Sequence, residues 1–406
     1  MRFSKSNAFI VACCSLVAAH ALSLFDTAPV VGLPESHAVK YSASVRVGYD
    51  DNMYCEPKPV EGEYVGANVR ATFADYESVD KLSYDLKLGF TRYFKDSEDV
   101  SIYQDETRSR KLYSDCSLSA SITHAFSSRS TYTVQVMVSY MPEPDYANAI
   151  SSSRRQGDVL NWSLSNAYSE AIDSRWSWGA NASYSGNLYG ESANAYDDRQ
   201  YVGCGGSLSY RESQLVTYNV SLDYRYDMRD FGYNASNFML STGVSMALDP
   251  VSSMHLQLGV QNKYICNEAV WSPNIRAGYN RRVTEGVSVR AYLSLANENV
   301  DTYSFGGNYL SDLALRAGVN CIYKLSPDVS FVCGIAFIRS SYSRGTNTLA
   351  DYDTYTFTPS VEMRYKFAQD LEGSIRYAYS TSDRDGTTAD YSYDRNNISA
   401  SLKYTF

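Results

Sequence analysis

Apolar and polar residues alternate one by one along most of this chain. The last ten residues, "NISASLKYTF", show it most cleanly. Ile398, Ala400, Leu402, Tyr404 and Phe406 share one parity, and Asn397, Ser399, Ser401, Lys403 and Thr405 share the other. A period of two puts the two sets on opposite faces of a β-strand. Chain ends are loosely held unless something pairs with them. A pattern that runs to the final carboxylate therefore predicts partners for this strand.

The same pattern recurs upstream. "KYSASVRVGYD" sets Tyr41, Ala43, Val45, Val47 and Tyr49 against Lys40, Ser42, Ser44, Arg46, Gly48 and Asp50. In "YVGANVRATFADY" the apolar face is Val65, Ala67, Val69, Ala71 and Phe73; in "LSYDLKLGFTRYF" it is Leu82, Tyr84, Leu86, Leu88 and Phe90. Carried along the chain, the pattern predicts strands centred near residues 45, 69, 87, 119, 136, 163, 180, 205, 220, 242, 259, 277, 292, 317, 335, 361, 377 and 401. Their lengths of roughly 10 to 14 residues suit strands that cross a bilayer, which need about 9–11 at a steep tilt. No amphipathic helix competes with this pattern.

Connections alternate too. Short ones ("ESVDK", "SSRS", "EAIDS", "RES", "DPVSS", "RVTEG", "SPDV", "AQDLEG") take turns with longer polar ones at 51–62, 95–109, 141–156, 186–198, 228–236, 266–273, 298–309, 342–353 and 381–396. Short turns at one end and long loops at the other mark a bacterial outer-membrane barrel. An even strand count puts both termini at the short-turn, periplasmic end. The predicted fold is all-β: a transmembrane antiparallel up-and-down barrel of about 18 strands, with 16 also compatible. Such a sheet has no edge, so "NISASLKYTF" can be the closing strand, between the strand near 377 and the first strand near 45. Aromatics fall where the two membrane interfaces would lie. Tyr49, Tyr140, Tyr184, Tyr226, Tyr264 and Tyr379 sit at loop-side ends. Phe126, Tyr132, Tyr168, Trp176, Tyr210, Tyr365, Tyr404 and Phe406 sit at turn-side ends. A secreted β-sandwich or β-solenoid would also alternate. It would not need the loop rhythm, the two aromatic bands and the apolar terminal strand together.

Composition agrees with this fold. The 406 residues include 37 tyrosines. The mean hydropathy of −0.34 is that of a soluble protein, but a barrel shows lipid only every second residue. No apolar run reaches the length of a spanning helix. The N-terminus has Arg2 and Lys5, an apolar run from Ala8 to Ala19, and Ala19-His20-Ala21, which is the form of a cleaved secretory signal peptide. The expected organisation is a signal peptide at 1–21, a short periplasmic lead at 22–38 and a barrel at 39–406. Ile10-Val11-Ala12-Cys13 is an alternative lipidation site, preceded by a short apolar run. Loss of Arg2 and Lys5 would move the formal net charge from −9 to −11. An acidic exported protein is a poor nucleic-acid binder.

Two resemblances follow from these residues. The terminal strand, with Tyr404 and Phe406, resembles the signal read by the outer-membrane insertion machinery. The stretch "VRVGYDDNMY", with Gly48-Tyr49-Asp50-Asp51-Asn52, resembles the opening of outer-membrane β-barrel porin families, some of them associated with exopolysaccharide loci. That resemblance implies an architecture and a porin-like role, and no particular solute.

Candidate chemistry is sparse. Beyond His20 and His37, the remaining histidines are His124 and His255, near short turns and without a matched nucleophile. No nucleophile elbow, phosphate loop or zinc spacing occurs, so neither catalysis nor a cofactor is expected. Six cysteines follow the signal peptide: Cys55, Cys116, Cys204, Cys266, Cys321 and Cys333. The compartment permits disulfides. Cys321 and Cys333 flank one turn symmetrically with lipid-facing parity, and Cys55 and Cys266 lie in two long loops. Either pair could bridge or stay reduced. "DRDGTTAD" (383–390) faintly resembles a calcium loop but lacks the closing bidentate glutamate, and 95–106 is a second acidic loop. Both suit a solvated surface, and no metal is expected.

The informative polar positions are those with inward parity. Arg46, Arg70, Arg276, Arg290, Arg316, Arg364, Lys366, Arg376 and Lys403 form a basic wall on adjoining strands, against fewer inward acids: Asp85, Asp158, Asp223, Asp312 and Glu362. Charged stripes in a pore select ions by sign. The same arginines could instead be paired and merely keep the lumen wet. The predicted function is a porin-like channel for passive diffusion of small hydrophilic, anion-biased solutes, narrowed by loops 95–109, 141–156 and 381–396. Outer-membrane lipids and the insertion machinery would be its partners, and a homotrimer stays open. Two other classes remain. One is an export-associated barrel, with inward aromatics such as Tyr93 and Tyr292 for sugar stacking. The other is a structural or adhesive surface protein acting through its loops.

Overall fold

The computed structural model describes residues 39–53, 55, 59–75, 80–94, 112–142, 158–189, 198–229, 234–265, 267–298, 311–343, 351–386 and 392–406. The signal peptide, the lead, Cys13, Cys266, loop 95–109 and most of loop 141–156 lie outside these residues, as does the side chain of Asp158. Within them the chain forms eighteen strands and no helix. They are β1 Lys40–Asp50, β2 Gly62–Asp75, β3 Asp80–Tyr93, β4 Leu112–Ala125, β5 Ser130–Pro142 and β6 Asp158–Ala171. Next come β7 Trp176–Tyr189, β8 Arg199–Arg211, β9 Val216–Arg229, β10 Ala235–Asp249, β11 Ser252–Ile265 and β12 Glu268–Arg282. The last are β13 Val287–Glu298, β14 Ser311–Lys324, β15 Val329–Ser343, β16 Tyr352–Lys366, β17 Leu371–Asp385 and β18 Tyr393–Thr405. Each centre expected from the alternation falls inside one of them.

Every strand pairs antiparallel with its neighbours in chain order, and β1 also pairs with β18, which closes the barrel. The seam runs from Ser42↔Thr405 to Asp50↔Asn397. It answers the question posed by the terminal strand: Phe406 N still donates to the Tyr41 carbonyl at 2.8 Å. Registers keep parity all the way round. Val45 faces Leu402, Leu222 faces Leu240, Leu240 faces Val260 and Phe337 faces Phe357. Most of these side chains stay exposed although they are apolar, and Phe337 is half-buried. An apolar band around a closed barrel is the surface that lipid covers, and closure gives the first and last strands a backbone partner within it.

Four of the described short turns share one construction. Ser127 Oγ accepts from the backbone N–H groups of Arg129 and Ser130, both at 3.1 Å. Ser213 and Ser326 do the same for the residues two and three further on. Asp173 accepts from Trp176 and Arg175 at 2.7 Å each, and these bonds hold its carboxyl below the usual range. A side-chain oxygen thus stands in for a backbone acceptor at the tip of each turn. The first turn residue continues the outward parity with a large apolar side chain: Phe126, Ile172, Val283, Leu325 and Phe367, all exposed. Together with Phe406 they form a rim at the end where the chain terminates.

Two expected loops are shorter than the sequence suggested. The stretch 266–273 contains only a tight connection, because β12 starts at Glu268 and Asn267 takes a φ of 63°. Pro273 falls inside the strand. It lies where β12 pairs with β11 but not yet with β13, a position where a sheet tolerates proline. In the stretch 381–396, β17 runs to Asp385 and β18 resumes at Tyr393. Asp383 and Asp385 of the calcium-like stretch are therefore strand residues, and the described residues contain no cluster that could hold a metal.

The parity assignment has a direct consequence. Leu240→Arg puts a charge on the lipid face and is expected to cost about 2–4 kcal/mol of stability near mid-membrane. Ser245→Arg, on the same strand but facing the lumen, is expected to cost far less. Urea titrations of protein refolded into vesicles measure both, and equal costs would contradict the inside-out assignment.

Candidate functional site: the inner wall of the barrel

Inward parity carries mostly small and polar side chains. On β4 these are Asp115, Ser117, Ser119, Ser121 and Thr123; on β16 they are Thr354, Thr356, Thr358, Ser360, Glu362 and Arg364. Exposure along this wall is graded. Near the long-loop ends Arg199, Asp227, Lys263, Asp312, Ser340 and Ser380 are buried. Toward the short turns Ser207, Ser245, Lys366 and Lys403 are exposed. The lumen is thus open at its turn end and filled at its loop end.

The nine basic residues singled out by parity fall into two groups. One lies on β16, β17, β18, β1 and β2. Arg364, Ser374, Ser401 and Arg46 are successive register partners across four strands. Lys366, Glu372 and Lys403 form the next row toward the turns, and Glu362 pairs with Arg376 in the row above. The other group is Arg276, Ser294 and Arg316, one register row on β12 to β14, with Arg290 closer to the turns. Between the groups stands β15, which has no charged residue of inward parity and presents Val332, Ala336 and Ile338.

Several of these bases have acidic or aromatic partners. Arg70 Nε donates to Asp85 Oδ1 at 2.8 Å, and Arg364 makes a two-pronged bond to Glu362 at 3.0 and 2.9 Å. Arg276 lies within electrostatic reach of Asp223 and His255. The Arg46 guanidinium carbon lies 5.2 Å from the centre of the Tyr64 ring. Tyr64 continues into Tyr93 at 5.3 Å and Tyr93 into Tyr113 at 5.8 Å. Tyr292 packs against Gly318, where any β-carbon would collide with its ring, and sits within reach of Arg316. Of the two inward aromatics expected, Tyr93 therefore belongs to a ring row and Tyr292 to a backbone contact.

Sequence reasoning named Asp223 and Asp312 but missed the buried Arg199, Asp227 and Lys263. Arg225 Nε contacts Asp227 Oδ1 at 3.1 Å, and Asn237 donates to Asp227 Oδ2 at 3.4 Å. Gln261 donates to Asn237 Oδ1 at 3.4 Å and to the Asn297 carbonyl at 2.9 Å. Lys263 lies within electrostatic reach of Asp227 and Asp312, and Arg199 donates to the Tyr201 hydroxyl at 3.3 Å. The signal was present in "LDYRYDMR", where Asp223, Arg225, Asp227 and Arg229 alternate with apolar residues. Lys87, bonded to Asp115, was also overlooked.

The histidines separate. His255 has inward parity on β11. His124 faces outward at the turn end of β4, with Asp80 on its Nδ1 and Phe126 edge-on at 4.6 Å. This acid–base pair was not anticipated. Cys321 and Cys333 are direct register partners of lipid-facing parity, and both are free thiols.

No protein-family model matches the chain, and no curated protein matches it. Similar solved structures include the outer membrane protein OpdK of Pseudomonas aeruginosa with vanillate, 11% identical, with a TM-score of 0.48 and coverage of 91% of this chain and 99% of that one. OccAB3 of Acinetobacter baumannii is 11% identical, with a TM-score of 0.49 and coverage of 91% and 99%. The ferric enterobactin receptor PfeA of Pseudomonas aeruginosa, as a mutant, is 9% identical, with a TM-score of 0.45 and coverage of 91% and 81%. No residue role is carried over from any of them.

The difference in burial predicts a difference in energy. Asp227→Asn breaks a buried charge network and is expected to cost about 3–5 kcal/mol. Asp85→Asn breaks a pair whose arginine is 50% exposed and is expected to cost at most about 1 kcal/mol. Denaturant titrations in vesicles compare the two, and a cost for Asp227→Asn no larger than for Asp85→Asn would remove the buried network from the fold's essentials.

Proposed function

We propose that this protein is an outer-membrane, porin-like channel through which small hydrophilic solutes diffuse passively, with a bias toward anions. The observation that carries this reading is the opposition of faces: a closed eighteen-stranded barrel with an apolar exterior and a polar, serine-rich interior. Barrels of about this strand number leave an aqueous channel. The anion bias is assigned to Arg46, Arg70, Arg364, Lys366, Arg376 and Lys403 on one side and to Arg276, Arg290 and Arg316 on the other. Rows of like charge in a lumen attract counter-ions and repel co-ions. The buried loop end supplies the size limit. The same proposal has residues 1–21 direct export, both termini face the periplasm, and Tyr404 and Phe406 serve the insertion machinery.

A partner-gated or surface role is the second reading, favoured by the complete burial of Asp227 and Lys263 at the loop end. Single-channel recordings in a planar bilayer under a salt gradient separate the two. The channel proposal expects stepwise openings and a reversal potential of anion preference. It also expects that preference to shrink in Arg364→Gln/Arg376→Gln/Lys403→Gln. Cation preference would keep the pore and discard the filter. A folded, heat-modifiable barrel without conductance would overturn the open-channel reading in favour of the gated one.

A further inference from the structure

Conduction gives no role to Gly48-Tyr49-Asp50-Asp51-Asn52, yet this stretch makes a dense set of polar contacts. Asp50 is fully buried at the loop end of the seam between β1 and β18. Its carboxylate receives Arg395 Nε at 2.9 and 3.0 Å and Arg395 Nη2 at 2.5 Å. It also receives Asn397 Nδ2 at 2.9 Å and the backbone N–H of Asn52 at 3.1 Å. Asp51 takes the backbone and side-chain N–H groups of Asn396 at 2.6 and 2.7 Å, while Asn52 donates to the Asp394 carbonyl at 3.0 Å. Gly48 has no β-carbon because one would lie 2.5 Å from the Tyr64 ring, whose hydroxyl crosses to Asn397 at 3.2 Å. Asp50, Asp51 and Asn52 thus all reach into Asp394-Arg395-Asn396-Asn397, while Tyr49 turns outward to Glu61.

We propose that these two segments form a clasp that selects the register in which the barrel closes and keeps the seam shut. Most neighbouring strands are held together by the connection between them, but the halves of this ladder lie 345 residues apart. A slip by one residue would turn Arg395 to the opposite face and leave Asp50 buried without its countercharge. A two-pronged carboxylate–guanidinium bond is demanding in direction as well as in charge. The clasp therefore penalises every register but one.

Cys55 gives a reporter, since its buried Sγ lies 3.7 Å from Arg395 Nη1. In full-length protein with every other cysteine replaced by alanine, Cys55 of the folded barrel should react slowly with a maleimide. Asp50→Asn should raise that rate at least tenfold and lower the temperature at which the folded gel band converts. Asp51→Ala should do both to a smaller degree, and it decides the matter if Asp50→Asn does not fold. Asp85→Asn, on another ladder, should change neither. In a second construction, a disulfide between Val47→Cys and Ala400→Cys, register partners across the seam, should return the conversion temperature of Asp50→Asn to the parental value. Unchanged Cys55 reactivity in both clasp variants, or failure of the disulfide to restore the transition, would overturn the proposal. Conductance enters none of these readouts, so the clasp and the channel stand or fall separately.

Discussion

The rest of the structure depends on one constraint: in lipid, every strand must find backbone partners on both sides. A linear chain can meet it only if its first and last strands meet each other. The pairing of β1 with β18 meets it here. An even number of strands follows for a wall that is antiparallel throughout, and the start of β1 and the end of β18 then share one rim. The pattern running to Phe406 has the same origin, because a closing strand that frayed would expose unpaired groups on two ladders at once.

Closure also divides the side chains into two populations under opposite demands. Outward positions need only be apolar, so Val, Leu, Ile, Tyr and Phe interchange freely around the barrel. Inward positions must be hydrated or paired. At the turn end hydration suffices, and Lys366 and Lys403 stand exposed. At the loop end water is displaced, and the charges there, Asp227 with Arg225 and Asp50 with Arg395, are bonded to one another. Pairing removes most of the field of a buried charge, so the ion bias of a channel like this would come chiefly from the hydrated rows near the turns. The uncharged interior of β15 splits those rows into two walls. A solute crossing the turn half would meet positive charge from two directions.

What was legible in the sequence was local. Parity, strand number and loop alternation are read within a dozen residues, and they placed all nine basic residues on inward parity. Pairing was less legible. That Arg70 meets Asp85 follows from register, which one strand's sequence does not state. The early start of β12 was not legible either, because its first residues pair with β11 alone and β13 joins only at Ile275. The alternating charges of β9 were visible but carried no sign of their burial, which depends on what fills the loop end.

The seam was the least legible part, since Asp50 and Arg395 gain meaning only once the sheet has curled through eighteen strands. Its stretch is nevertheless the one that carries the resemblance to outer-membrane porin families. The geometry gives that resemblance a physical content. Gly48 makes room for Tyr64, Asp50 and Asp51 receive the last strand, and none of the contacts described for Asp50, Asp51 or Asn52 is to a residue of either basic row. A sequence pattern fixed by closure would recur in barrels that pass different solutes, because the seam must be shut whatever the pore admits. The resemblance at residues 48–52 is therefore evidence of how the barrel is closed, and the inner wall has to be interrogated separately for what passes through it.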